Sequence, residues 1–164
     1  MVYIGIDPGK TGAVAFIDDC QGEPDHISLH DMPLDDSGRV DACGLLNRLQ
    51  NAGGHVICFL EKSQAMPGQG VTSTFNYGTG YGSILACLQI ANVPFQEVHP
   101  MSWKKEFTLV KKDKSDSVAV ASRLFPQAFS RLRREKRGGG EILLHGRAEA
   151  LLLAEYCRRR TRGC

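Results

Sequence analysis

Apolar and polar positions alternate in short blocks along the chain, and the period changes from block to block. Residues 2–6, Val-Tyr-Ile-Gly-Ile, are apolar; Asp7-Pro8-Gly9-Lys10-Thr11-Gly12 breaks the run, and Ala13 to Ile17 resumes it. Strand, glycine-rich turn, strand is the pattern of a hairpin. His26 to Met32 predicts a third strand. Arg39 to Gln50 carries Val40, Cys43, Leu46 and Leu49 at helical spacing after a Ser37-Gly38 start. Residues 55–60 read as a buried strand ending at Glu61, and residues 62–72, glycine-rich with Pro67, predict a loop. Thr79 to Ala91 predicts a helix, 94–98 a short strand, and Pro100 to Phe107 a short helix carrying Trp103. A basic link, Lys111 to Ser115, leads into a helix that Pro126 stops at Phe125. Residues 131–141, basic and carrying Gly138-Gly139-Gly140, predict a loop. Leu144 to Arg159 predicts a last helix with an apolar stripe at Leu151, Leu152 and Tyr156.

This order, β-β-β-α-β-α-β-α-α-α, predicts an α/β fold: a mixed five-stranded sheet with helices on both faces and right-handed crossovers. The 164 residues suit one domain spanning 1–164, without repeat or linker. A hydrophobic content of 42% and a charged content of 23% exclude a disordered chain. No apolar run approaches the ~20 residues of a membrane span, so no membrane partner is expected. Met1 to Asp7 has no basic segment followed by an apolar stretch, so no signal peptide is expected. The six cysteines form no C-x-x-C pair, which disfavours a zinc ribbon; Cys58 and Cys87 read as small buried hydrophobes. A reducing, cytoplasmic location is the expectation, in a bacterium or a phage-infected cell rather than an organelle.

Charge adds an asymmetry. The net charge is only +2, but residues 1–82 hold four Lys/Arg against ten Asp/Glu, while residues 83–164 hold sixteen against eight. An acidic half joined to a basic half suggests nucleic-acid or anionic-surface binding, or simply two solvated faces of opposite sign.

The candidate chemistry lies at element ends. Asp7 closes the first strand and Glu61 the strand 55–60, so both carboxylates project from strand ends at one edge of the sheet. His145 and Glu149, four apart, share one face of the last helix. Three elements could bring four metal-ligating side chains to one point, and packed carboxylates need a divalent cation to offset their repulsion. Each signal has an ordinary alternative: a turn aspartate, a solvated strand-end glutamate, a surface or capping histidine. Lys104, Lys105, Lys111, Lys112 and Lys114 precede one helix, and Arg131, Arg133, Arg134, Lys136 and Arg137 precede the next. They are candidates for sequence-independent phosphate contacts, or a solubilising surface run. Lys62 and Arg147, beside the candidate ligands, join that set. Phe75, Tyr77 and Tyr81 alternate with glycines and could stack on or wedge between bases, or tuck into the core of a capping loop. Trp103 reads as core packing. Asp-x-Gly-x-x-Gly after a first strand also opens sugar-kinase and actin-like ATPases, but those need two such domains and a far longer chain.

Together, Tyr3-Ile-Gly-Ile-Asp-Pro-Gly-x-x-Gly-Ala, Leu60-Glu61-Lys62 and His145-Gly-Arg-Ala-Glu-Ala-Leu-Leu-Leu-Ala resemble the RuvC-type Holliday junction resolvases of the ribonuclease H-like superfamily. The resemblance is nearest to the chloroplast (monokaryotic chloroplast) branch and to phage and bacterial RuvC-like resolvases. Phe75 to Gly82, Pro100 to Phe107 and Leu124-Phe-Pro126 extend it over nearly the whole chain. It implies a homodimeric nuclease cutting four-way DNA junctions by paired symmetric nicks, with two Mg²⁺ or Mn²⁺ ions. Asp7, Glu61, His145 and Glu149 take the four catalytic, metal-site positions: Asp7 as the bridge, Glu61 and Glu149 on either side, His145 as a ligand or water-positioning group. Two metals ~3.5–4 Å apart would activate the water and stabilise the leaving oxygen. Lys112 or Lys114 would lie near the scissile phosphate, and the Phe75 to Gly82 loop with the following helix near the junction centre and the dimer interface. Many related sequences carry an Asp where this chain has Leu144. That departure leaves a junction-binding protein with weak or no cleavage as the alternative.

Overall fold

The computed structural model describes residues 1–19, 26–64 and 68–162; Cys20, Pro67 and Cys164 lie outside them. The strands are β1 (Val2–Asp7), β2 (Ala13–Asp18), β3 (His26–Asp31), β4 (Val56–Glu61) and β5 (Phe95–Val98). They form one mixed sheet in the order β3-β2-β1-β4-β5. β1 pairs antiparallel with β2, β2 antiparallel with β3, and β4 runs parallel to both β1 and β5. The helices are α1 (Ala42–Gln50), α2 (Val71–Ile90), α3 (Pro100–Glu106), α4 (Lys114–Leu124) and α5 (His145–Arg162).

Strand alternation sorts the side chains between two cores. Val2, Ile4 and Ile6 of β1, with Cys58 and Leu60 of β4, pack under α1 and α2 against Leu45, Leu49, Ile84 and Leu88. Tyr3 and Phe59 face the opposite way, into a core built with α4 and α5. Asp7 and Glu61 follow the parity of Tyr3 and Phe59, so both carboxylates belong to the α5 side. Because β1 and β4 are parallel neighbours, with Ile6 beside Leu60, their C-terminal ends lie next to each other.

α5 is the central helix of that side. Ala148 and the whole run from Ala150 to Cys157 are buried, and each fully buried leucine contributes ~1.5–3 kcal/mol. Its one buried charge, Glu155, accepts from Arg158 Nε at 2.7 Å and Arg159 Nε at 2.8 Å. Two glycines let this helix sit against backbone. A Cβ on Gly5 would collide with the Ala150 carbonyl oxygen and the Ala154 amide, and one on Gly146 with the Thr11 carbonyl oxygen. The first contact seats α5 on β1; the second brings its first turn onto the β1–β2 turn that follows Asp7.

Three segments differ from the pattern. α1 starts at Ala42 under an Asp41 cap rather than at Arg39, because Ser37, Gly38 and Arg39 belong to a turn. In that turn the Asp35 carboxylate accepts from the amides of Ser37 and Arg39, both at 2.9 Å. α2 begins at Val71 rather than at Thr79, so the stretch ahead of Thr79, expected as a loop, is already helical. Its glycines lower intrinsic helix propensity, yet burial of Ile84, Cys87 and Leu88 holds the helix. Thr74, Thr79 and Ser83 donate back to the carbonyls of Gly70, Phe75 and Thr79. The expected basic loop 131–141 is instead the end of a 3₁₀ helix (Pro126–Leu132) and a small antiparallel hairpin, β6 (Arg133–Glu135) and β7 (Glu141–Leu143).

Candidate active site

Asp7, Glu61 and Glu149 meet at the C-terminal ends of β1 and β4, under the first turns of α5. Their carboxyls sense one another. Burial first, then the charges of Glu61 and Glu149, hold the Asp7 carboxyl well above the usual carboxylate range; Lys104 and Lys114 oppose them. Burial also raises the Glu61 carboxyl, against a hydrogen bond from Trp103 and the charge of Lys104.

Each flanking carboxylate has a protein donor. Glu61 Oε2 accepts from Trp103 Nε1 at 2.7 Å. Glu149 accepts from Ser117 Oγ at 3.2 Å and from Lys104 Nζ at 3.5 Å. His145 Nδ1 lies 3.0 Å from the Lys114 carbonyl oxygen. A carbonyl only accepts, so Nδ1 is the donor, and the neutral tautomer with Nδ1–H has its lone pair on Nε2. A cavity of about 370 Å³ opens here, lined by Asp7, Thr11, Lys114, His145, Arg147 and Glu149 among others.

The oxygen-rich set fits a hard divalent cation, whose charge would offset the burial and the neighbouring carboxylates that raise the Asp7 carboxyl. Asp7, Glu61 and Glu149 are the side chains that could hold it, with His145 Nε2 as a nitrogen donor. Among the described residues no three His, Cys, Asp or Glu side chains already stand as a closed ligand group.

The basic candidates divide into two groups. Arg131 Nη1 donates to the Ile27 carbonyl at 2.5 Å; Arg133 pairs with Glu141 at 2.7 Å and lies over the Phe129 ring at 4.2 Å. Arg147 grips Asp31 with Nε and Nη2 at 2.6 and 2.9 Å, and its Nη1 donates to the Arg131 carbonyl. Arg131 and Arg147 tie the end of the 3₁₀ helix and the start of α5 to β3, while Arg133 is engaged within the hairpin and by Phe129. Lys104 is committed to Glu149. Lys62, Lys105, Lys112 and Arg134 are exposed, and Lys114 lines the cavity.

The aromatic candidates sit on α2 beside a second, open cavity of about 880 Å³ that also takes in Lys10, Arg39 and Asn76. Phe75 is 72% exposed. Tyr77 shares a hydrogen bond with Ser63 at 2.9 Å, and Tyr81 donates to Glu97 at 2.6 Å. Trp103, Ser117, Thr11 and Asp31 were not among the sequence candidates for the site. Trp103 is core, as its pattern predicts, but its buried N–H also needs an acceptor, and that requirement was the available signal.

The structure is similar to two solved structures of RuvC from Thermus thermophilus. The one in complex with a Holliday junction substrate superposes with a TM-score of 0.62 at 15% identity, over 99% of this chain and 96% of that one. The other gives 0.57 at 16% identity, over 98% of both chains. No family model and no curated protein matches the sequence. At this identity the likeness is one of fold, and the fold is RuvC-like, within the ribonuclease H-like architecture.

Proposed function

We propose that this RuvC-like chain is a single-domain endonuclease that resolves four-way DNA junctions by paired symmetric nicks, working as a homodimer with two Mg²⁺ or Mn²⁺ ions. The observation that carries the proposal is the meeting of Asp7, Glu61 and Glu149 at adjoining strand ends, on the face covered by α5. When bound, the cations would supply Lewis acidity and a water made nucleophilic near neutral pH. The chain's own residues do the rest. Asp7 and Glu61 hold the cations from the sheet and Glu149 from the helix. His145, oriented by the Lys114 carbonyl, offers Nε2 as a ligand or as an acceptor for a proton from the attacking water. Lys114 on the cavity wall and exposed Lys62, Lys105, Lys112 and Arg134 are placed to bind junction phosphates, with Lys112 or Lys114 nearest the scissile one. Homodimerisation is supported by α2, which has no charged residue in 20 and exposes Val71, Phe75 and Ile90. The chloroplast and phage branch of the resolvases is supported by the sequence motifs alone.

A second reading, junction binding with little cleavage, is favoured by Leu144 and by the engagement of Glu149 with Lys104 and Ser117. One assay separates them. A synthetic four-way junction is incubated with the protein in Mg²⁺ or Mn²⁺, beside Asp7→Asn and Glu61→Gln. Symmetric nicks that both variants lose, with junction binding intact, support the enzyme. Tight binding without cleavage in either metal leaves the binding protein.

A further inference from the structure

Trp103 is the single tryptophan of the chain and is fully buried. Packing explains its ring, which meets Phe107 edge to face at 6.5 Å between centroids. Packing does not explain where its polar atom goes. Nε1–H is donated to Oε2 of Glu61, 42 positions away in sequence. The next residue, Lys104, places its ammonium 5.0 Å from the Trp103 ring and reaches Glu149. Two consecutive residues of the short helix α3 thus hold two different carboxylates of the site.

We propose that Trp103 is the positioning residue of the cation site: its indole N–H holds Oε2 of Glu61 and leaves Oε1 as the oxygen offered to a divalent cation. The proposal rests on the reading of Glu61 as a ligand. The residue type suits the task. An indole is a donor only, so it cannot itself ligate a cation; it carries no charge, so it does not repel one; and its two side-chain torsions are locked by the core. A lysine or arginine there would place a positive charge where the cation must come. Donors that orient a ligating carboxylate typically matter about 10–100-fold in metal affinity or activity.

The test titrates Mn²⁺ onto the whole protein without DNA, followed by calorimetry and by the fluorescence of Trp103 where it is present. Three altered proteins accompany the wild type: Glu61→Gln, Trp103→Phe, and protein whose one tryptophan is replaced biosynthetically by β-(3-benzothienyl)alanine. The last keeps the bicyclic shape and lacks the N–H. The expected result is quenching of Trp103 fluorescence on Mn²⁺ addition to the wild type and the weakest binding in Glu61→Gln. Both tryptophan replacements should lose about 10–100-fold in Mn²⁺ affinity, while the cation-free analogue protein melts as the wild type does. Wild-type affinity in the analogue protein beside an impaired Glu61→Gln overturns the proposal, whatever Trp103→Phe does, because ring volume alone would then explain that variant. Wild-type affinity in Glu61→Gln removes Glu61 from the ligand set, and the proposal falls with that reading.

Discussion

Gly5→Ala adds one methyl group in the middle of β1, and the structure gives it nowhere to go. The new Cβ would collide with the Ala150 carbonyl oxygen and the Ala154 amide nitrogen and lie 3.0 Å from the Leu153 carbonyl carbon. All three are backbone atoms of α5, so no side-chain rotation relieves the clash; the helix must lift on the order of 1 Å from a close-packed sheet. Overpacking of this kind costs about 1–3 kcal/mol when side chains can adjust, so ~3 kcal/mol or more is expected here. For a chain of this size that lowers Tm by roughly 6–12 °C. Gly78→Ala is the matched control: nothing lies within 4 Å of its Cβ position, and it sits inside α2. That variant should gain ~0.5–1 kcal/mol through helix propensity. Thermal unfolding followed by far-UV circular dichroism, at one protein concentration, reads both. Lifting α5 also moves Glu149 from Asp7, so Gly5→Ala should cut junctions poorly even well below its Tm. A Gly5→Ala protein as stable as the wild type would refute the seating of α5 on β1.

Other outcomes follow from single contacts. Arg147 holds the Asp31 carboxyl below the usual carboxylate range, so the pair stabilises the fold above ~pH 4 and loses that contribution as pH falls through the depressed value. Because Asp31 is 61% exposed, the contribution should stay below ~1 kcal/mol; urea unfolding of Asp31→Asn beside wild type should show a gap at pH 7 that closes in acid. Burial pushes the Cys157 thiol up to about 12 and the Cys58 thiol well above its usual value. A thiol reagent at pH 8 should therefore modify exposed Cys43 in the native protein and leave Cys58 and Cys157 until unfolding. Junction binding should weaken steeply with salt; Lys112→Ala should reduce the logarithmic salt slope by about 1, whereas Arg133→Ala, already paired with Glu141, should leave it nearly unchanged.

Much of the site was legible because strand parity and helix spacing are local. Asp7 shares the face of Tyr3, Glu61 that of Phe59, and His145 with Glu149 needs only a spacing of four. What escaped the sequence was either stabilised from elsewhere or linked across distance. The start of α2 is glycine-rich and helical because its C-terminal half is buried. β6 and β7 are three residues each, and the link between them runs through Gly138, Gly139 and Gly140 at φ 96, 97 and 90°; such glycines mark a turn without announcing strands. Trp103 to Glu61, Ser117 to Glu149 and Arg147 to Asp31 span 42, 32 and 116 positions, and no periodicity connects residues that far apart.

The seat of α5 on Gly5 also orders events in time. Asp7 closes the first strand of the sheet, while Glu149 belongs to a helix that follows seven strands and four α-helices among the described residues. A chain cut short before residue 145 lacks both the helix that closes the acidic site and the apolar surface that covers the sheet. The approach of Glu149 to Asp7 and Glu61 and the completion of the core therefore arrive in the same step, and an unfinished copy has neither.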